Sequence, residues 1–197
     1  MRLFLGLLVL VVAAALAVGV YLFRPLGPPD ADTPPELLTL SAYAQHSYSR
    51  TVPGTPQDLR AWMEDNSLLD YLTATETVPA VSGNEPIEGD WDNPGAKRRV
   101  LLASGEYAVE RVLLNTTEAF EYQVWNFTTP TARLVDHAYA VQTFRPVDGG
   151  TKMTWTYHMT PKIGLLKGMI GDFLTNDFGP FMEQGMNAML DDYEARQ

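Results

Sequence analysis

The stretch Lys152-Met153-Thr154-Trp155-Thr156-Tyr157-His158-Met159-Thr160 alternates strictly. Met153, Trp155, Tyr157 and Met159 fall on one side and Lys152, Thr154, Thr156 and His158 on the other, the period-two pattern of a half-buried strand. The stretch leaves an Asp148-Gly149-Gly150 turn and runs directly into a helical segment of about thirty residues. There Ile163, Leu166, Ile170, Phe173, Leu174, Phe178, Phe181, Met182, Met186, Met189 and Leu190 recur at three- and four-residue steps, the spacing of one helical face. A sheet face that needs a cover is followed at once by a helix able to cover it. A long helix laid across a curved antiparallel sheet can enclose a pocket.

Upstream, the sequence predicts successive antiparallel strands at Lys97–Ala103, Glu106–Leu114, Ala119–Phe127 and Asp136–Pro146, joined mostly by short turns such as Ser104-Gly105. Another strand is expected over Thr39–Thr51. It is followed by a helix over Pro56–Glu64, with Thr55 as its capping hydroxyl and Pro56 in its first position. Asn66–Leu72 reads as a second short helix capped by Asn66. Ala80–Gly95 is rich in breakers and reads as loop, with at most a short edge strand at Ile87–Trp91.

The N-terminus stands apart. Leu3–Phe23 is 21 residues without a charge or a proline, flanked by Arg2 and Arg24, and reaches roughly 30 Å as a helix. We expect residues 1–24 to be a single-pass membrane anchor. A cleaved signal peptide, with Ala15-Leu16-Ala17 as its small-x-small site, is the competing reading. Residues 25–38 form a Pro-rich linker and residues 39–197 one folded domain. One Arg lies on each side of the run, and Arg2 with the amino terminus favours a cytoplasmic N-terminus, so the globular domain is expected on the extracytoplasmic, periplasmic side.

Apart from Arg2 and Arg24, the chain carries 24 acidic against 12 basic residues. Such a body is repelled by phosphate backbones, so nucleic acid is an unsuitable partner. No cysteine is present, which excludes disulfides, thiolate metal sites and cysteine nucleophiles. The three histidines show no metal-ligand spacing, and no metal or cofactor is expected.

The segments Ser49–Pro56, Trp91–Arg98, Gly105–Glu110 and Gly149–Trp155, in the order strand, helices, strand run and long helix, resemble the START-like SRPBCC superfamily. The polyketide cyclase/dehydrase and lipid-transport branch is most similar, over roughly residues 40–195. The resemblance implies an α+β helix-grip fold of the START and Bet v 1 type, a curved seven-stranded sheet wrapping the C-terminal helix around an apolar cavity. The N-terminal transmembrane helix would be an addition to it.

The strongest polar candidate is Glu110, on an apolar strand face with Ala108, Val112 and Leu114. It either pairs with Arg98 or Arg99 from the preceding strand or serves as a general acid. With His46 or His137 it would supply the acid and base of a cyclase or dehydratase. His158 is expected to face solvent if Trp155 faces the pocket. For the cavity wall, the pattern nominates Tyr122, Trp125, Met153, Trp155, Tyr157, Met169, Phe173, Phe178 and Met182. Gly164, Gly168 and Gly171 read as points of close helix-to-sheet approach. The leading expectation is a membrane-anchored, non-catalytic domain whose partner is a hydrophobic or lipid-like small molecule. The alternatives are the cyclase-like enzyme and a structural module with a collapsed cavity.

Overall fold

The computed structural model describes residues 12–14, 16, 17 and 33–197. Most of the expected anchor and the first part of the Pro-rich linker lie outside the described residues. Among those described, no helix is long and apolar enough to cross a membrane.

One seven-stranded antiparallel sheet organises the folded unit. Its strands are β1 (Ala44–Val52), β2 (Val81–Glu88), β3 (Lys97–Leu102), β4 (Tyr107–Asn115), β5 (Ala119–Trp125), β6 (Val135–Val147) and β7 (Gly150–Pro161). Their spatial order is β1-β7-β6-β5-β4-β3-β2. The chain thus meanders from β2 to β7 and then returns β1 to the far edge beside β7. Register shifts in β2–β3, β4–β5 and β6–β7 add local twist and bend the sheet. Gly150 could not be replaced at the start of β7, since its φ is +140° and a Cβ would strike the Val52 carbonyl.

Helix α1 (Pro56–Asp65) follows β1 and opens with a full capping box. The Asp58 amide donates to Thr55 Oγ1, and the Thr55 amide donates to the Asp58 carboxylate. The short helix after it is a single 3₁₀ turn, Leu68–Tyr71, capped by Ser67 instead of Asn66. Asn66 instead closes α1 by donating to the Trp62 carbonyl at 2.8 Å. The C-terminal cover comprises a 3₁₀ turn (Gly164–Leu166), α2 (Lys167–Phe173), a π turn (Leu174–Phe178) and α3 (Gly179–Ala195). The π turn sits just before Pro180, which can donate no backbone hydrogen bond, and so absorbs the bend that a proline imposes.

Helix α3 is locked to its surroundings. Arg50 of β1 reaches Asp191 at 2.7 Å and Glu194 at 3.1 Å, Tyr48 donates to Asn187 at 3.0 Å, and Tyr71 donates to Asp192 at 2.6 Å. Burial and this bond push the Tyr71 phenol up to about 12. Met182, Met186, Met189 and Leu190 form its fully buried inner face.

Three expectations are corrected. Residues 81–88 are a full strand: β2 lies at the sheet edge, where Pro86 and the left-handed Gly83 are tolerated because one side needs no ladder. His158 is buried on the outer face, stacked on Tyr139 at 5.4 Å with Nδ1 donating to the Tyr139 carbonyl. The close helix approaches are not at Gly164 or Gly168, which face open space, nor at Gly171, which has only ordinary contact with Ala44. They are at Gly179, beneath which lies the His46 ring, and at Gly185, against Leu72.

These placements give two expectations for stability. Gly168→Ala, at an open helical position, should raise unfolding free energy by up to about 1 kcal/mol. Gly179→Ala would set a methyl 2.9 Å from His46 and should lower it by about 1–3 kcal/mol; urea titration checks both. Burial lowers the pKa of His158 below the usual 6.5, so the unfolded chain takes up this proton first as the pH falls. The stabilisation is complete above about 6.5 and lost as pH drops through the folded value. Thermal unfolding between about pH 7 and 5 should show less acid sensitivity in His158→Gln.

Candidate ligand cavity

Between the inner face of the sheet and the C-terminal cover lies a cavity of about 350 Å³. Its apolar wall includes Leu68, Leu69, Leu72, Val100, Ala108, Val124 and Met159, and aromatic rings cross it in a continuous arc. Trp91 meets Phe120 at 6.0 Å, Phe120 meets Tyr122 at 5.6 Å, and Tyr122 meets Tyr157 at 6.3 Å. Tyr157 then meets Phe178 at 4.8 Å, and Phe178 contacts both Phe173 and Phe181. The π turn explains the last of these contacts. Residues five apart are about one turn apart there, so Phe173 and Phe178 stack on the same side.

The polar part of the lining centres on Glu110. Its Cα partner across the ladder is Arg98, whose Nε and Nη2 both bond Glu110 Oε2, at 2.8 and 2.7 Å. Both side chains are buried, and the Arg98 guanidinium also lies 3.5 Å from the Trp91 ring centroid. Arg98 commits only one carboxylate oxygen, which leaves Oε1 for a guest. Nearby, Trp155 Nε1 donates to the Tyr122 hydroxyl at 3.1 Å, so that hydroxyl keeps its own proton to offer. Burial and then the proximity of Glu110 push the Tyr122 phenol far up; burial and then Tyr122 and Glu110 do the same for Tyr157. Both phenols stay protonated donors at any physiological pH. Gln142 adds a buried amide to the same lining.

Arg60 supplies a second cation. Its guanidinium lies over Phe144 and Phe120, at 4.9 and 5.5 Å, and donates to Asn115. Burial lowers its pKa, against the opposing pull of Asp92 and Glu64, which also line the cavity. Two cations against three acids leave no net positive charge with which to select an anion.

The residues nominated from sequence divide. Tyr122, Trp155, Tyr157, Phe173 and Phe178 line the cavity. Trp125 does not: it has the opposite parity to Tyr122 and is buried on the outer face, opposite Val109 and His137. Met153 and Met182 are fully buried in the core beyond the cavity, and Met169 is half exposed on α2. Lining residues missed from sequence include Arg60, Trp91, Phe120 and Phe181, while Arg98, expected as one of two possible partners of Glu110, lines it as well. Phe120 shares its parity with Tyr122 and Val124, a signal that the alternation of β5 already carried.

The proposed acid–base set does not converge. Glu110 alone of the three lines the cavity. His46 is wedged under Gly179 with Nε2 3.6 Å from Glu183. His137 is buried on the opposite face of the sheet, with Nδ1 bonded to Asp136 and Nε2 to the Tyr43 hydroxyl, each at 2.8 Å. Since carboxylates accept, Nδ1 donates to Asp136 and Nε2 accepts from Tyr43, whose oxygen in turn accepts from the Leu38 amide at 2.9 Å. With the Gln123 amide donating to the Pro35 carbonyl at 2.7 Å, these bonds strap residues 35–43 across the outer face.

A helix cradled in a seven-stranded sheet around a partly polar cavity agrees with the sequence comparison, in which residues 44–194 match the family model for polyketide cyclase / dehydrase and lipid transport. The chain belongs to that family. No curated protein matches it in sequence. Among solved structures, the fold is similar to Ara h 8.0201, with 15% identity and a TM-score of 0.55, covering 79% of this chain and 99% of that one. It is also similar to TTHA0849 from Thermus thermophilus, with 14% identity and a TM-score of 0.53, covering 76% and 98%. A third similar structure is the di-domain ARO/CYC StfQ from the steffimycin biosynthetic pathway, with 12% identity and a TM-score of 0.58, covering 79% of this chain and 52% of that one. At these identities the likeness is one of fold, in agreement with the expected SRPBCC membership.

The Arg98–Glu110 pair generates a stability expectation. Arg98→Met or Glu110→Leu alone strands a buried charge and should cost about 3–5 kcal/mol, whereas the double variant should recover most of the loss. Guanidinium unfolding of the three variants provides the check.

Proposed function

We propose that this chain is a membrane-anchored domain that binds one compact, uncharged, apolar or amphipathic small molecule in the cavity, without catalysing its conversion. The observation that carries the reading is an apolar space of about 350 Å³ with a neutralised polar cluster set into its wall. That volume is near the lower end of ligand pockets, which favours a ring system or a single short chain over a two-chain lipid. Binding energy would come from buried apolar area, at about 25 cal/mol per Å². Orientation would come from the Tyr122 proton and Glu110 Oε1 meeting a hydroxyl or carbonyl on the guest. The uncharged run Leu3–Phe23 supports anchoring, with the domain on the extracytoplasmic side.

Catalysis is the weaker reading because general acid–base chemistry needs a second titratable group within reach of the same substrate atom. Glu110 is already held by Arg98, and both candidate histidines sit elsewhere. A cyclase-like role would have to run on Glu110 and the tyrosine hydroxyls.

Titration with the neutral fluorophore N-phenyl-1-naphthylamine tests the binding role. Fluorescence enhancement should saturate with the wild-type chain, and Ala108→Trp, which fills the cavity, should weaken binding at least about tenfold with an unchanged circular dichroism spectrum. Equal binding by the two proteins, or none by either, would overturn the reading.

A further inference from the structure

Eight large apolar side chains are exposed among the described residues of the folded unit. Six of them, Leu37, Leu38, Leu40, Ile163, Leu165 and Met169, come from two short segments. Those segments adjoin: the Lys167 ammonium donates to the Ser41 carbonyl at 2.6 Å, and Gly171 packs beside Ala44. Leu165 is 93% exposed at the tip of the 3₁₀ turn after β7. An exposed apolar cluster of this kind on a folded domain marks an interaction face.

Charge and connectivity identify what covers it. The chain as a whole carries a net charge of −10, so most of its surface is repelled by anionic headgroups. In this face the charges cancel, with Lys162 and Lys167 against Glu36 and Asp172. From its N-terminal run the chain reaches this face by way of the strap over the outer face, held at Pro35 by Gln123. Only residues 24–32 separate Phe23 from Thr33, a span of at most about 35 Å when fully extended.

We propose that the face formed by residues 37–41 and 162–169 docks on the surface of the bilayer that holds the N-terminal run, with Leu165 and its apolar neighbours entering the interfacial layer. This rests on the anchoring reading above and adds an orientation to it. Leucines penetrate the headgroup boundary while Lys162 and Lys167 meet phosphates at its surface. Docking also brings to the lipid the end of the domain where Phe173 and Phe127 form cavity wall. An apolar guest could then pass between bilayer and cavity with little exposure to water.

The absence of cysteine makes the test direct. The full chain, carrying Leu165→Cys or Val147→Cys labelled with a nitrobenzoxadiazole dye, is reconstituted in phosphatidylcholine vesicles. Val147 ends β6 beside the start of β7, about 35 Å away, and both positions are exposed enough to accept the label without disturbing the core. The label at 165 should emit to the blue and lose at least about half its intensity to lipid-borne nitroxides, whereas the label at 147 should respond only to aqueous iodide. A chain that fails to float with the vesicles overturns the anchoring reading and this one with it. A chain that floats with the 165 label open to iodide overturns docking alone. A 165 label shielded from both quenchers assigns the face to a protein partner or a second copy, and overturns it too.

Discussion

Arg50 on β1 holds Asp191 and Glu194 while Gly185 admits Leu72 close to the helix backbone, and together they fix the C-terminal half of α3 against the sheet. Its N-terminal end touches the same strand at Gly179, over the His46 ring. The π turn before Pro180 redirects the chain there and turns Phe173 and Phe178 toward the same space. A uniform α-helix pinned in the same way would send these two rings to different sides and pack onto the sheet along its whole length. The cavity therefore follows from a pinned helix and from the π turn that bends the chain leading into it.

The cavity that results is electrically quiet. Each cation within it is offset: Arg98 by Glu110 and the Trp91 ring, Arg60 by its stacking on two phenylalanines and by nearby acids. Charges stranded in such a space would cost several kcal/mol each. What remains for recognition are phenolic protons and one carboxylate oxygen, groups that read the position of an oxygen atom on a neutral guest. Shape and hydrogen-bond position, more than charge, are the means of selection that this lining provides.

Much of this was legible in the alternation of β7 and the helical repeat behind it, because burial of one face imposes a period on the sequence. The Arg98–Glu110 pair was legible for the same reason, as an acid on an apolar parity beside a strand rich in arginine. Periodicity, however, says which side chains point inward and not how deep. Met153 and Met182 obey the pattern and pack away from the cavity, while Met169 sits where a change from 3₁₀ to α geometry shifts the phase. The edge strand β2 escaped because its glycine and proline are compatible with an unpaired side. The outer face escaped because the first part of its cover, residues 35–38, has the composition of a linker and the rest reads as the start of a strand, where the chain instead makes the 3₁₀ turn Leu40–Ala42. Trp125, His137 and His158 are buried on a surface that the alternation alone assigns to water.

That strap has a mechanical meaning. A pull on the chain from its N-terminal side reaches the Gln123–Pro35 and Tyr43–His137 bonds, and through them the central strands β5 and β6. The load path bypasses the helix and the aromatic arc on the opposite face. Tension routed in this way leaves the volume of the interior unchanged.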